Sequence, residues 1–139
     1  MPVKPIPEGY HTVTPLLAVN GAERLIDFLK SAFGAVELSR FSSENGVVMH
    51  AEMKIGDSIV MMGDAMEEPM PGALYVFVAD VDAAYRRALD AGARSLQEPE
   101  DQFYGARVAR VATLVFGTEV GEIWNAYGPS WRGVVDLKG

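Results

Sequence analysis

The sequence predicts an α+β fold made of two β-α-β-β-β modules. Three observations carry that expectation. A strand-then-helix unit occurs twice, each helix closes on the same kind of tripeptide (FGA at 33–35, AGA at 91–93), and strand-like runs follow each helix. Gly34 and Gly92 lie 58 positions apart, and Val19 and Val78, which end the leading strands, lie 59 apart. So constant an interval marks an internal duplication.

In the first unit, Thr12 to Val19 (TVTPLLAV) is a β-rich run. Asn20 follows as the expected helix N-cap, with Glu23 three positions on. Ala22, Leu25, Ile26, Leu29 and Phe33 recur at the spacing of one helical face, and Gly34 supplies the left-handed stop. Strands are expected at Val36–Phe41, Val47–Ile55 and Ser58–Met62, with Gly56-Asp57 as a tight turn. In the second unit, Leu74 to Val78 (LYVFV) is the strand and Asp80 the N-cap. Val81, Ala84, Tyr85 and Ala88 form the stripe, and Gly92 is the stop. Arg94–Gln97, Arg107–Phe116 and Glu119–Tyr127 complete it, the last two joined at Gly117-Thr118. The Pro- and Gly-rich GDAMEEPMPG at 63–72 reads as a linker. Its charges Asp64, Glu67 and Glu68 are expected to be solvated.

The 139 residues favour one domain: module one at about 9–62, module two at about 73–127 and a tail at 128–139. Hydrophobic residues make up 49% and charged residues 22%, an ordinary globular balance. No apolar run approaches the roughly 20 residues of a membrane helix. MPVKPIPEGYH lacks the apolar centre of a signal peptide, so a cytoplasmic protein is expected. Cys is absent, which excludes disulfides, thiolate metal sites and a thiol nucleophile. A net charge of −7 argues against nucleic-acid and anionic-membrane partners.

Four blocks, TPLLAVNGAERLIDFLKSAFGA (14–35), VMHAEMKIGDSIVMM (48–62), VADVDAAYRRALDAGA (78–93) and EDQFYGAR (100–107), resemble the vicinal oxygen chelate superfamily. That superfamily includes glyoxalase I, ring-cleaving dioxygenases and bleomycin-resistance proteins, and the match is closer to its PhnB-like branch. The resemblance implies curved mixed sheets around a cavity. The final block departs from it: a D-P-x-G-x-x-W turn is replaced by VARVATLVFGTEVGEIWNA, with Gly121-Glu122-Ile123-Trp124 as its remnant.

The resemblance also implies that metal-dependent members take a ligand, usually His or Glu, from each of four inward strand positions. Aligned by the strand–helix junctions, these fall on Thr14, Met61 or a neighbour, Ala73 and Asn125. None is a usual divalent-metal ligand, and His11 and His50 are the only imidazoles. No metal and no cofactor is expected.

Alternation places Val47, Met49, Ala51, Met53 and Ile55 on one strand face and Val48, His50, Glu52 and Lys54 on the other. The apolar face should meet the helices, which leaves His50 and Glu52 on the concave side as ligand-reading groups. There His is suited to proton transfer and Glu to orienting it or binding a cationic group. The plain alternative is a structural hydrogen-bonded pair. Asp101, Gln102, Tyr104 and Arg107 cluster in one loop. Tyr104 is expected to stack on or hydrogen-bond a ligand, and Arg107 either to fork a carboxylate or phosphate or to pair with Asp101. Met61 and Met62 suit an adaptable apolar wall, whereas Met49 and Met53 suit the core. Trp124 is either a stacking wall or core, and His11 is expected at the surface.

The functional expectation is a metal-free, homodimeric small-molecule binding protein whose cavity holds an apolar or aromatic ligand. Its competitors are a lyase, isomerase or dioxygenase-type enzyme, metal-dependent through relocated ligands or metal-free through His50 and Glu52, and a module acting only by association.

Overall fold

Residues 4–67, 74–103, 105–113, 122–126 and 133–136 are described by the computed structural model, the last two stretches as backbone. Strand β1 (Leu16–Val19) leads into helix α1 (Ala22–Phe33), and β2 (Val36–Ser42), β3 (Val48–Ile55) and β4 (Ser58–Asp64) follow. Helix α2 (Val81–Asp90) then precedes β5 (Arg94–Asp101), β6 (Ala106–Ala112), β7 (Glu122–Ala126) and β8 (Gly133–Asp136). The strands form two four-stranded sheets, ordered β1-β4-β3-β2 and β5-β6-β7-β8. The first is mixed, because β1 runs parallel to β4 and the other pairs are antiparallel. This is the α+β architecture expected.

Both helices bury the faces their sequence spacing marked. Leu25, Ile26 and Leu29 of α1 and Val81, Ala84 and Ala88 of α2 are shielded from solvent. All but Ala84 join Ala51, Met53 and Met62 of the first sheet and Ala109 and Val111 of the second in a core spanning both modules. Gly34, at φ 64°, ends α1 in the left-handed conformation that glycine adopts without strain. Asp80 caps α2 as expected, accepting from the Ala83 N–H at 3.1 Å.

The duplication extends to strand register. Val36↔Lys54, Glu37↔Met53 and Ser39↔Glu52 recur as Arg94↔Ala112, Ser95↔Val111 and Gln97↔Arg110, every partner shifted by the interval between Gly34 and Gly92. The irregularity is repeated too: the ladder skips Leu38 in one sheet and Leu96 in the other.

Four expectations are corrected. The α1 N-cap is Gly21, at φ 97°, and not Asn20. Its capping oxygen comes from Asp64, whose Oδ1 accepts from the Gly21 N–H at 3.1 Å and the Ala22 N–H at 2.8 Å. Asp64 therefore ends β4 as an anchor, and is not a solvated linker charge. In β3 the alternation breaks, because the pairing with β2 skips Met49 between His50 and Val48. Val48 consequently turns into the core at 1% exposure and Met49 stands 43% exposed. Leu74–Val78 forms no strand, and the tail region supplies one, β8, antiparallel to β7. The expected Gly117-Thr118 turn lies outside the described residues.

Candidate functional site

The face of the first sheet turned away from α1 carries a continuous cross-strand row. Leu16 of β1 pairs with Met61 of β4, Met61 with Glu52 of β3, and Glu52 with Ser39 of β2. His50, two positions before Glu52, faces Phe41. Leu16 and Phe41 are about two-thirds exposed, so apolar surface flanks the carboxylate.

Glu52 is the centre of this face. Its Oε2 accepts from the Ser39 hydroxyl at 2.7 Å, and its Oε1 accepts from the Tyr10 hydroxyl. His50 Nε2 stands 3.8 Å from Oε1, too far for a good hydrogen bond and near enough for attraction when protonated. The Tyr10 and Ser39 hydroxyls stabilise the ionised carboxylate and hold its pKa below the usual value, against the opposing effect of burial. Tyr10 responds reciprocally. Donation to an anion favours the phenol, and its pKa rises to about 12.

The Tyr10 bond positions the whole N-terminal arm. Tyr10 N–H donates to the Pro7 carbonyl at 3.1 Å, and Gly9, at φ 87°, makes the turn that sends Tyr10 back over the sheet. Between arm and sheet lies a cavity of about 710 Å³, lined by Pro5, Ile6, Pro7, Tyr10, His11, Thr12, Thr14, Glu52 and Met61. A second cleft of about 430 Å³ lies beyond the arm, where Phe33, Ile59, Tyr75, Phe77 and Arg87 form walls. Tyr10, His11 and Thr14 border both.

Among the residues singled out from sequence, Glu52 and Met61 therefore meet at one cavity, with His50 beside Glu52. Met62 is buried in the core. His11 is exposed, as expected, but at the mouth of two hollows. Arg107 is drawn elsewhere. Its Nε and second terminal nitrogen clasp both Asp82 oxygens at 2.7 and 2.8 Å, and its remaining nitrogen holds Asp101 at 2.6 Å. The pairing alternative for Arg107 thus describes the observed contacts, and the fork ties β6 to α2. Gln102 closes the β5–β6 turn, its N–H donating to the Ala106 carbonyl at 2.6 Å. Tyr104 lies outside the described residues. Trp124 holds the register position opposite Val108, and its side chain is likewise outside them. Sequence reasoning missed Tyr10 and Ser39. The signal for Tyr10 was present in PIPEGY, where two prolines stiffen an arm and glycine permits a reversal.

Of the four inherited metal positions, Thr14 and Met61 border the cavity. Ala73 lies outside the described residues, as does the Asn125 side chain. Among the described residues no three His, Asp or Glu side chains converge. Around the cavity stand Glu52, already accepting two hydroxyls, His11 in its lining, His50 beside Glu52 and the Met61 thioether, and these do not converge as a three-ligand divalent centre requires. Among the described residues no helix is long and apolar enough to cross a membrane.

The family model for the glyoxalase/bleomycin resistance protein/dioxygenase superfamily matches residues 10–124. An uncharacterised protein of Mycobacterium bovis is 35% identical over 113 residues, covering 72% of this chain and 74% of its own length. TioX from Micromonospora sp. ML1 superposes with a TM-score of 0.58 at 28% identity, over 75% of this chain and 88% of its own. A PhnB protein from Bacillus cereus gives 0.61 at 17% identity, over 78% and 95%. The repeated module, its shared register and this span of matched residues lead to one assignment: the chain belongs to the glyoxalase/bleomycin resistance protein/dioxygenase superfamily.

Proposed function

We propose that this protein binds a small apolar or aromatic molecule without a metal, as a cytoplasmic homodimer. One observation carries the reading: a single carboxylate, Glu52, held ionised by two hydroxyls and flanked by Leu16, Met61 and Phe41, sits on the sheet face under a cavity of about 710 Å³. That volume falls within the range of drug-sized ligand pockets, and few convergent polar groups on apolar walls are typical of them. Met61 supplies an adaptable wall, and Glu52 selects a ligand that offers a donor or a cationic group. Exposed Leu16 and Phe41 beside the cavity support a second copy completing its enclosure.

The test is a thermal-shift screen of aromatic metabolites and antibiotics, with and without added divalent metal. A hit should raise the melting temperature with or without metal and lose at least tenfold in affinity in Glu52→Gln. Hits that require metal, or that ignore Glu52→Gln, reject the reading. Copurifying Fe, Zn, Ni or Mn in stoichiometric amount, lost in His50→Ala, would also overturn it.

The spacing of His50 and Glu52 favours one further reading, a metal-free isomerase or lyase. In it His50 moves a proton while Glu52 orients the imidazolium. Turnover of a screening hit that disappears in His50→Gln, with binding retained, distinguishes catalysis from binding.

A further inference from the structure

In the first sheet, β1 lies parallel along β4, Leu16 opposite Met61, and Met61 is also the partner of Glu52. The duplicated register carries Glu52 to Arg110, and continuing the β6–β7 ladder from Ala109↔Ile123 brings Glu122 opposite Arg110. Glu122 is thus the counterpart of Met61. The interval between Val19 and Val78 likewise carries Leu16 to Tyr75. Symmetry therefore assigns the edge of β7 away from β6 to Leu74–Val78, with Tyr75 opposite Glu122.

That edge is taken. β8 lies along it in the opposite direction, pairing Asp136 with Glu122 and Val135 with Ile123. The segment it displaces keeps every mark of a strand. LYVFV is wholly β-branched, aromatic or aliphatic, and Val78 stands as many residues before α2 as Val19 stands before α1. Among the described residues, no backbone hydrogen bond joins Val76, Phe77 or Val78 to a partner, and Val76 and Val78 are half-buried. A neighbouring strand would pair these peptide groups. Phe77 is 55% exposed.

We propose that β8 is a displaceable strand. It holds the β7 edge in place of Leu74–Val78, so that docking of residues 133–136 decides whether the second module pairs with its own first strand. The exchange has a consequence for binding. Leu74–Val78 walls the 430 Å³ cleft, and its transfer to β7 takes that wall away. A docked β8 thus keeps the cleft walled, and a released β8 dismantles it.

The chain contains no cysteine, so introduced pairs report on contacts without background. Glu122→Cys with Asp136→Cys tests the observed pairing, and Glu122→Cys with Tyr75→Cys tests the alternative. Val134→Pro and Val135→Pro, made separately in the full chain, remove β8 ladder bonds. Expected is rapid oxidation of the 122–136 pair in the parent chain. Either proline should slow it and accelerate the intrachain 75–122 disulfide at least fivefold. Hydrogen exchange at Val76–Val78 should slow at least tenfold in the same variants. An unchanged 75–122 rate with α1 still protected overturns the proposal. So does a 75–122 disulfide joining two chains, or a proline variant whose α1 protection collapses because no strand has replaced β8.

Discussion

Glu52 and Tyr10 form a clamp whose pH limits follow from the two shifts. Tyr10 has its pKa raised from 10.0 to about 12, so the folded state favours the phenol. Its contribution is complete below pH 10 and is lost as pH rises through about 12. Glu52 is shifted the other way, first by the Tyr10 hydrogen bond, so its contribution is present above its ordinary value of 4.5 and is lost on further acidification. Between those limits the arm is held down. In Glu52→Gln the Tyr10 titration should fall toward its ordinary value, read as a phenolate band in an ultraviolet difference titration. An unmoved Tyr10 transition would show that the clamp does not form in solution. His50 and Glu52 were legible in sequence because alternation alone puts them on one face. Ser39 was not, because only the strand register brings it to Glu52.

At the scale of elements, Asp64 joins three of them. Its carboxylate serves the Gly21 and Ala22 N–H groups at the start of α1 and the Val48 N–H, at 2.8 Å, at the start of β3. Burial alone would raise its pKa, and the three backbone donors outweigh that effect and lower it. Asp64→Ala leaves those donors without a partner and should cost about 3 kcal/mol, read in chemical denaturation. Asp64→Asn keeps one acceptor oxygen but turns an NH₂ toward the remaining donor, and should cost about half as much. Gly63 next to it is equally constrained. A Cβ there would stand 2.8 Å from the Met49 carbonyl oxygen, so Gly63→Ala should cost about 1–3 kcal/mol, seen as a lower melting temperature. The Val48 bond and the Gly63 contact both lie at the skipped Met49, and a skipped residue has no signature in alternation. For that reason the reading that placed Met49 in the core and Asp64 in solvent followed local pattern correctly and missed the contact.

For the whole molecule, helix stripes, stops and the repeat interval were readable because they depend on residues close in sequence. The occupant of the β7 edge was not, since LYVFV and GVVD both suit a strand and only tertiary competition chooses between them. Exposed apolar residues on the first sheet lead to a prediction about assembly. Sedimentation equilibrium at micromolar concentration should give a species twice the 15.1 kDa chain mass, and a purely monomeric result would refute it. The paired skips at Leu38 and Leu96 have a consequence for shape. Any alternating sequence can pair regularly, and here the regular pairing is interrupted at matching places. A bulge bends the strand that carries it, so both sheets turn at the same point of their modules.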